Sequence, residues 1–207
     1  MLYHSHNVSG VLMSNKKETN RSKTDQMSEN YRKIIKAAGE DIHRDGLLDT
    51  PKRAAEAFNY LTAGYEMCVN DVLNDAMFEC DNDEMVVVKS IELYSLCEHH
   101  LLPFYGVCHI GYLPNKKVIG LSKMGRFVDV FARRLQVQER LTQEVMHCVE
   151  DLTQARGVVV MIEARHLCMM MRGVQKQGSL TVTLASTGAF RESSDLRAEF
   201  ERLVKFD

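Results

Sequence analysis

The chain has 207 residues, 45% hydrophobic and 26% charged, with 26 Lys and Arg against 28 Asp and Glu for a formal net charge of -2. These values suit one compact domain with a tail, and they exclude a wholly disordered chain, a collagen-like chain or a bare coiled coil. The charge balance argues against a nucleic-acid binder, and the sequence holds no run of about 18 apolar residues that would serve a membrane-spanning helix.

The N-terminal MLYHSHNVSGVLMSNKKETN lacks the basic start and long apolar stretch of a secretory leader. Cys68, Cys80, Cys97, Cys108, Cys148 and Cys168 are too sparse for a disulfide scaffold, so a reducing cytoplasm is the expected compartment. Residues 1–27 are rich in Ser, Asn, Lys and Thr and read as a flexible N-terminal tail. The domain is expected over 28–207, with N-terminal helices over 28–66 and a sheet with helices over 85–207. Order begins near Glu29, where Ile34, Ile35, Ala38 and Ile42 recur at helical spacing.

A second helix is predicted by Thr50 as cap, Pro51 in the first turn and KRAAEAFNYL, continuing until Gly64. Residues 70–84 are polar and acidic and read as a loop. MVVVKSIELYS, PFYGVCHIGYLP and KKVIGLS are rich in β-branched and aromatic residues and read as strands, with Asn115-Lys116 in a hairpin turn. From Ser122 the period becomes helical: Phe127, Val130, Phe131 and Leu135 make one face, and Leu141, Val145, Cys148, Val149 and Leu152 another, ended by Gly157. VVVMIEA and LTVTLAST are two more strands, with ARHLCMMMRG between them as a candidate third. A helix through Leu196, Phe200 and Leu203 closes the chain. The order of elements predicts an α+β fold, an antiparallel sheet with helices packed on one side, whose open edges neighbouring subunits would satisfy.

The densest cluster of metal-capable groups is Cys97-Glu98-His99-His100, and a second is His166-Leu167-Cys168. Zinc takes thiolate and imidazole ligands, and a catalytic zinc keeps one position for water. Two ligands from the first cluster and one from the second would make such a site. Spacing leaves His99 and His100 as alternatives: a strand aligns Cys97 with His99, whereas a turn brings Cys97 to His100. Cys108 and His109 are further candidates, although Cys108 alternates with Ile110 as a core position would. Ser122, Lys123 and Arg126 stand at the start of a helix, where N–H groups and the dipole favour anions, and Arg172 and Arg53 offer guanidinium forks. Gln138-Glu139 pairs an amide with a carboxylate that can accept two N–H donors from a guanine edge.

In order along the chain, the strings TPKR, SLCEHHLLPFYGVCHIGYLP, IGLSKMGR, RRLQVQERLT and EARHLCMMMRGVQK resemble GTP cyclohydrolase I from about Glu29 to the C-terminus. The resemblance implies a zinc enzyme that converts GTP and water to formate and 7,8-dihydroneopterin triphosphate. Zinc-activated water would attack purine C8, followed by ring opening, ribose rearrangement and pterin closure. It implies Zn2+ on Cys97, His100 and Cys168, and proton transfer by His99 and His166. Gln138 and Glu139 would hold the guanine, Lys123, Arg126 and Arg172 the triphosphate, Arg53 the triphosphate from a neighbouring subunit, and Ser122 the ribose. It implies a homo-oligomer, a decamer of two pentamers, whose sheets join edge to edge into a barrel. A nitrile reductase with a cysteine nucleophile and NADPH, or a binding protein with a closed structural zinc, are the competing readings.

Overall fold

The computed structural model describes the backbone of residues 8–206 and the side chains of residues 23–206. The chain divides after Tyr60 into two compact units. The N-terminal unit holds α1 (Val8–Ala37) and α2 (Thr50–Leu61). Helix α1 begins well before Glu29, inside the stretch expected as a tail. From Val11 to Ala37 the sequence has neither Gly nor Pro, so nothing interrupts the backbone ladder. Residues 1–7 of the expected tail lie outside the described residues. Gly39 follows α1 with φ +90, a conformation that ends a helix with no Cβ penalty. Asn59 Nδ2 donates to Thr24 Oγ1 at 2.9 Å, tying α2 to α1. Thr50 lies within α2 and donates to the Gly46 carbonyl instead of capping.

The larger unit contains, in chain order, α3 (Val69–Leu73), β1 (Met77–Glu79), β2 (Val86–Cys97), β3 (Pro103–Leu113), β4 (Lys117–Ile119), α4 (Leu121–Ala132) and β5 (Leu135–Gln136). It continues with α5 (Gln138–Thr153), β6 (Gly157–His166), α6 (Leu167–Met170), β7 (Thr181–Ser186), α7 (Gly188–Glu192) and α8 (Ser194–Lys205). The main sheet has the order β5-β2-β3-β6-β7, and β1 and β4 form a separate pair. All pairings are antiparallel except the short β2–β5 pair, so the sheet is mixed at one edge.

Alternation in the strands decides which face each helix covers. Leu93 of β2, Cys108, Ile110 and Tyr112 of β3, and Val158, Val160 and Ile162 of β6 form one core with Met124, Phe127 and Val128 of α4 and Leu141, Val145 and Val149 of α5. The intervening residues Leu113, Val159 and Met161 pack on Phe190 of α7 and Phe200 of α8. Helices therefore cover both faces, which corrects the expectation of helices on one side only. The long apolar strings of β3 and β6 carry the reason, since a strand buried on both faces shows no polar alternation.

Four other expectations are corrected. The 70–84 segment contains α3 and β1 as well as loop, and β4 pairs with β1 rather than returning on β3. Helix α5 ends at Gln154, which takes the left-handed conformation at φ +50, and Gly157 starts β6. ARHLCMMMRG is the end of β6 followed by α6, not a strand. Met169 and Met171 are exposed. No helix among the described residues is long and apolar enough to cross a membrane.

Candidate metal and substrate site

Strand β2 runs out at Cys97, and a tight turn follows. Cys97 N–H donates to the Leu102 carbonyl at 2.9 Å, while Leu101, at φ +54, donates its own N–H to the Cys97 carbonyl at 2.8 Å. The turn folds His100 back over the end of the strand, leaving its Nδ1 3.7 Å from Cys97 Sγ. Across the sheet, the β3–β6 ladder sets Phe104 opposite His166, and α6 begins one residue later. Cys168 on α6 thereby joins the turn. One ligand atom each from Cys97, His100 and Cys168 lies within 4.8 Å of the others.

That separation fits zinc. Tetrahedral bonds of about 2.3 Å to sulfur and about 2.0 Å to nitrogen put the ligand atoms about 3.5–3.8 Å apart. Both thiols are buried and the imidazole is exposed, so the open side faces solvent. Burial first, and then the neighbouring Cys97 thiol, push the Cys168 thiol above its ordinary range. A bound cation offsets that penalty by stabilising the thiolate. His99 Nδ1 is 3.9 Å from Cys97 Sγ, but its ring is exposed and it does not join the three-residue group. Cys108 and His109 do not join it either. Cys108 is fully buried in the core, and His109 lies on the other face of the sheet. His109 Nδ1 accepts the Ser90 N–H at 3.2 Å, at the bulge where β2 slips register against β3.

Beside this group stand His166 and the start of α5. The imidazole stacks on Phe104, with centroids 4.6 Å apart and planes 9° from parallel. Its Nε2 is 2.8 Å from Gln138 Oε1. Burial lowers the His166 pKa below the ordinary histidine value, and Glu139 opposes this in part. Glu139 is exposed on the first turn of α5, where the helix N–H groups have no intrahelical partner. Gln138 is 1% exposed, and the two hydrogens of its Nε2 are shared among three acceptors, the Ile162 and Thr181 carbonyls at 3.0 Å and Thr183 Oγ1 at 3.1 Å.

Ser122, Lys123 and Arg126 lie on the first turns of α4, with Ser122 and Arg126 exposed. Lys123 Nζ donates to the Val72 carbonyl at the end of α3, at 2.7 Å. Arg172 is exposed just after α6. Arg53 belongs to the N-terminal unit, where it pairs with Asp49 at 3.0 Å. Sequence reasoning missed Phe104, Thr183, and the Glu98–Arg140 ion pair. Arg140 Nε also donates to Gln136 Oε1 at 3.0 Å, and Glu98 Oε1 is 3.9 Å from His99 Nε2. The signal was present for Glu98, the unassigned residue inside Cys-Glu-His-His.

A family model described as GTP cyclohydrolase I matches residues 27–205. The chain is 56% identical over 174 residues to GTP cyclohydrolase 1 of Methylococcus capsulatus, covering 84% of this chain and 94% of that protein. It is 56% identical over 181 residues to GTP cyclohydrolase 1 of Pseudoalteromonas atlantica, with 87% and 98% covered. It is 56% identical over 178 residues to GTP cyclohydrolase 1 1 of Pseudomonas aeruginosa, with 86% and 96% covered.

Proposed function

The chain belongs to the GTP cyclohydrolase I family, and from that premise we propose that it converts GTP and water to formate and 7,8-dihydroneopterin triphosphate at a zinc ion held by Cys97, His100 and Cys168. The observation that carries this proposal is the convergence of two thiols and one imidazole within 4.8 Å, next to a half-buried histidine. When bound, zinc supplies Lewis acidity that brings the ionisation of water toward neutral pH.

The chain's own residues do the rest. His166 holds the proton exchanged with the purine imidazole ring, which opens at C8 with loss of formate. His99, exposed beside Cys97, carries protons between the site and solvent. Glu139 accepts two N–H donors of the guanine edge, and an adenine analogue would leave that carboxylate unpaired. Ser122 contacts the ribose during its rearrangement. Lys123, Arg126 and Arg172 bind the triphosphate, with Lys123 releasing the Val72 carbonyl to do so. Arg53 joins from a neighbouring copy.

Assembly follows from the sheet. Strand β7 is terminal in the order, and Val182 and Leu184 along it, with Leu180 just before it, are exposed. An unpaired edge of this kind is satisfied by another strand. Copies of the chain would pair edge to edge into a barrel, in a decamer of two pentamers. The catalytic domain occupies 28–207, residues 1–27 lie outside it, and the enzyme works in the cytoplasm.

Incubation with GTP, followed by oxidation, should yield a fluorescent pterin and one formate per pterin, and a zinc chelator should abolish both. Absence of pterin from zinc-loaded protein would overturn the proposal.

A further inference from the structure

We infer that Gln138 is a positioning residue that locks His166 into one tautomer and one orientation, with Nε2 carrying the hydrogen that is donated to the Gln138 amide oxygen. This rests on the proposed role of His166.

The hydrogen-bond directions settle themselves from one end of the network. Gln138 Nε2 lies 3.0 Å from each of two backbone carbonyls, Ile162 and Thr181, which only accept. The amide nitrogen must therefore face them, and the amide oxygen must face His166. Since Oε1 only accepts, His166 Nε2 at 2.8 Å is the donor. The hydroxyls agree with this assignment. Thr142 Oγ1 donates to the Gln138 carbonyl at 2.7 Å. Its hydrogen is thus used, so Thr183 is the donor in the 2.6 Å contact between the two hydroxyls. Thr183 Oγ1 then keeps a lone pair for Gln138 Nε2 at 3.1 Å.

Two contacts fix the ring. Phe104, stacked at 4.6 Å and 9°, sets the plane of the imidazole. Gln138 sets its rotation within that plane. Gln138 can hold this position because it is 1% exposed and anchored to both β6 and β7.

The test combines kinetics, zinc content and a direct view of the ring. Gln138→Met is close in length but offers no acceptor. It should lower kcat by about 10–100-fold with KM for GTP within about twofold. In a His166→Ala background, Gln138→Met should cost less than about twofold, because its effect passes through the missing ring. The 15N spectrum of histidine-labelled protein should show His166 as the Nε2–H tautomer in the parent and a mixture in Gln138→Met. A raised KM with unchanged kcat, additive losses in the double variant, or an unchanged tautomer would each overturn the inference. If Gln138→Met fails to elute and bind zinc like the parent, the same cycle is run with Thr183→Val, which removes one anchor of the amide; additivity there is equally fatal. A parent that makes no pterin defeats the functional proposal, and the tautomer measurement then still decides the positioning.

Discussion

Gly106 stands on β3 opposite Ala164 of β6. A methyl group built there would lie 1.9 Å from the Glu163 carbonyl oxygen and 2.7 Å from Ala164 Cα. Contacts below 3.0 Å essentially never occur, and both atoms are backbone, so β6 would have to retreat by at least about 1.1 Å. Overpacking usually costs about 1–3 kcal/mol, and a displaced ladder places Gly106→Ala at about 3 kcal/mol or more. For a chain of this size that lowers Tm by about 6–12 °C. His166 and Cys168 lie just beyond the disturbed pair, whereas Cys97 and His100 hang from β2. A relative shift of about 1 Å at such a site costs on the order of 100-fold, so zinc retention against a competing chelator should fall with the melting temperature. Gly125→Ala is the control. Its methyl would meet only Ile91 Cγ2, at 3.8 Å, inside α4. Removing a helix-interior glycine should gain about 1 kcal/mol and raise Tm by about 2–4 °C with activity unchanged. Melting is followed by calorimetry at one protein concentration, and zinc by mass spectrometry. Gly106→Ala melting with the parent and holding full zinc would refute the reasoning, as would a lower Tm for Gly125→Ala.

Cys168→Ser should reduce zinc from about one per chain to a small fraction, since a neutral hydroxyl replaces a thiolate ligand; retained zinc and activity would exclude Cys168 as a ligand. Glu139→Ala should lower kcat/KM for GTP by about 10–150-fold, the worth of a charge-assisted hydrogen bond of about 1.5–3 kcal/mol, and normal kinetics would remove its guanine-reading role. Burial, reinforced by Lys89 and only partly opposed by Glu163, holds His109 below the ordinary histidine value of 6.5. The unfolded chain therefore takes up this proton first, so the contribution of His109 is complete above about pH 6.5 and declines as pH falls from there toward the lower folded value. His109→Gln keeps an acceptor for the Ser90 N–H and should flatten that decline in denaturant titrations; an unchanged slope would discount His109 as its source.

The strands were legible from their β-branched and aromatic runs, and the two long helices of the larger unit from a clean period, as where Leu141, Val145 and Val149 recur every four residues. The short pieces were not. Helix α3 and strand β1 sit in a polar segment whose pairing is set by contacts far along the chain, with Met77 opposite Ile119. The helix at Leu167–Met170 was hidden because a four-residue helix cannot show a period. In the site, the ligand types were visible but their geometry was not. His99 and His100 are equivalent by spacing, and the turn through Leu101 distinguishes them. Gln138 shows the limit of assigning roles by residue type: an amide suited to reading a base is equally suited to bridging strands.

Register links these observations. His166 projects toward Gln138 because it pairs with Phe104, and Cys168 reaches Cys97 because β6 ends at that pair. A slip of one residue between β3 and β6 would turn His166 to the opposite face and carry Cys168 away from the turn. The motifs Cys-Glu-His-His and His-Leu-Cys therefore supply the donors, while an apolar ladder with no chemistry of its own supplies their meeting. Residues that enforce the ladder, such as Gly106, should then behave in assays like site residues, although they touch neither metal nor substrate. That coupling separates a zinc site built on sheet register from one built on a local loop, where distant strand substitutions would alter stability and leave metal affinity unchanged.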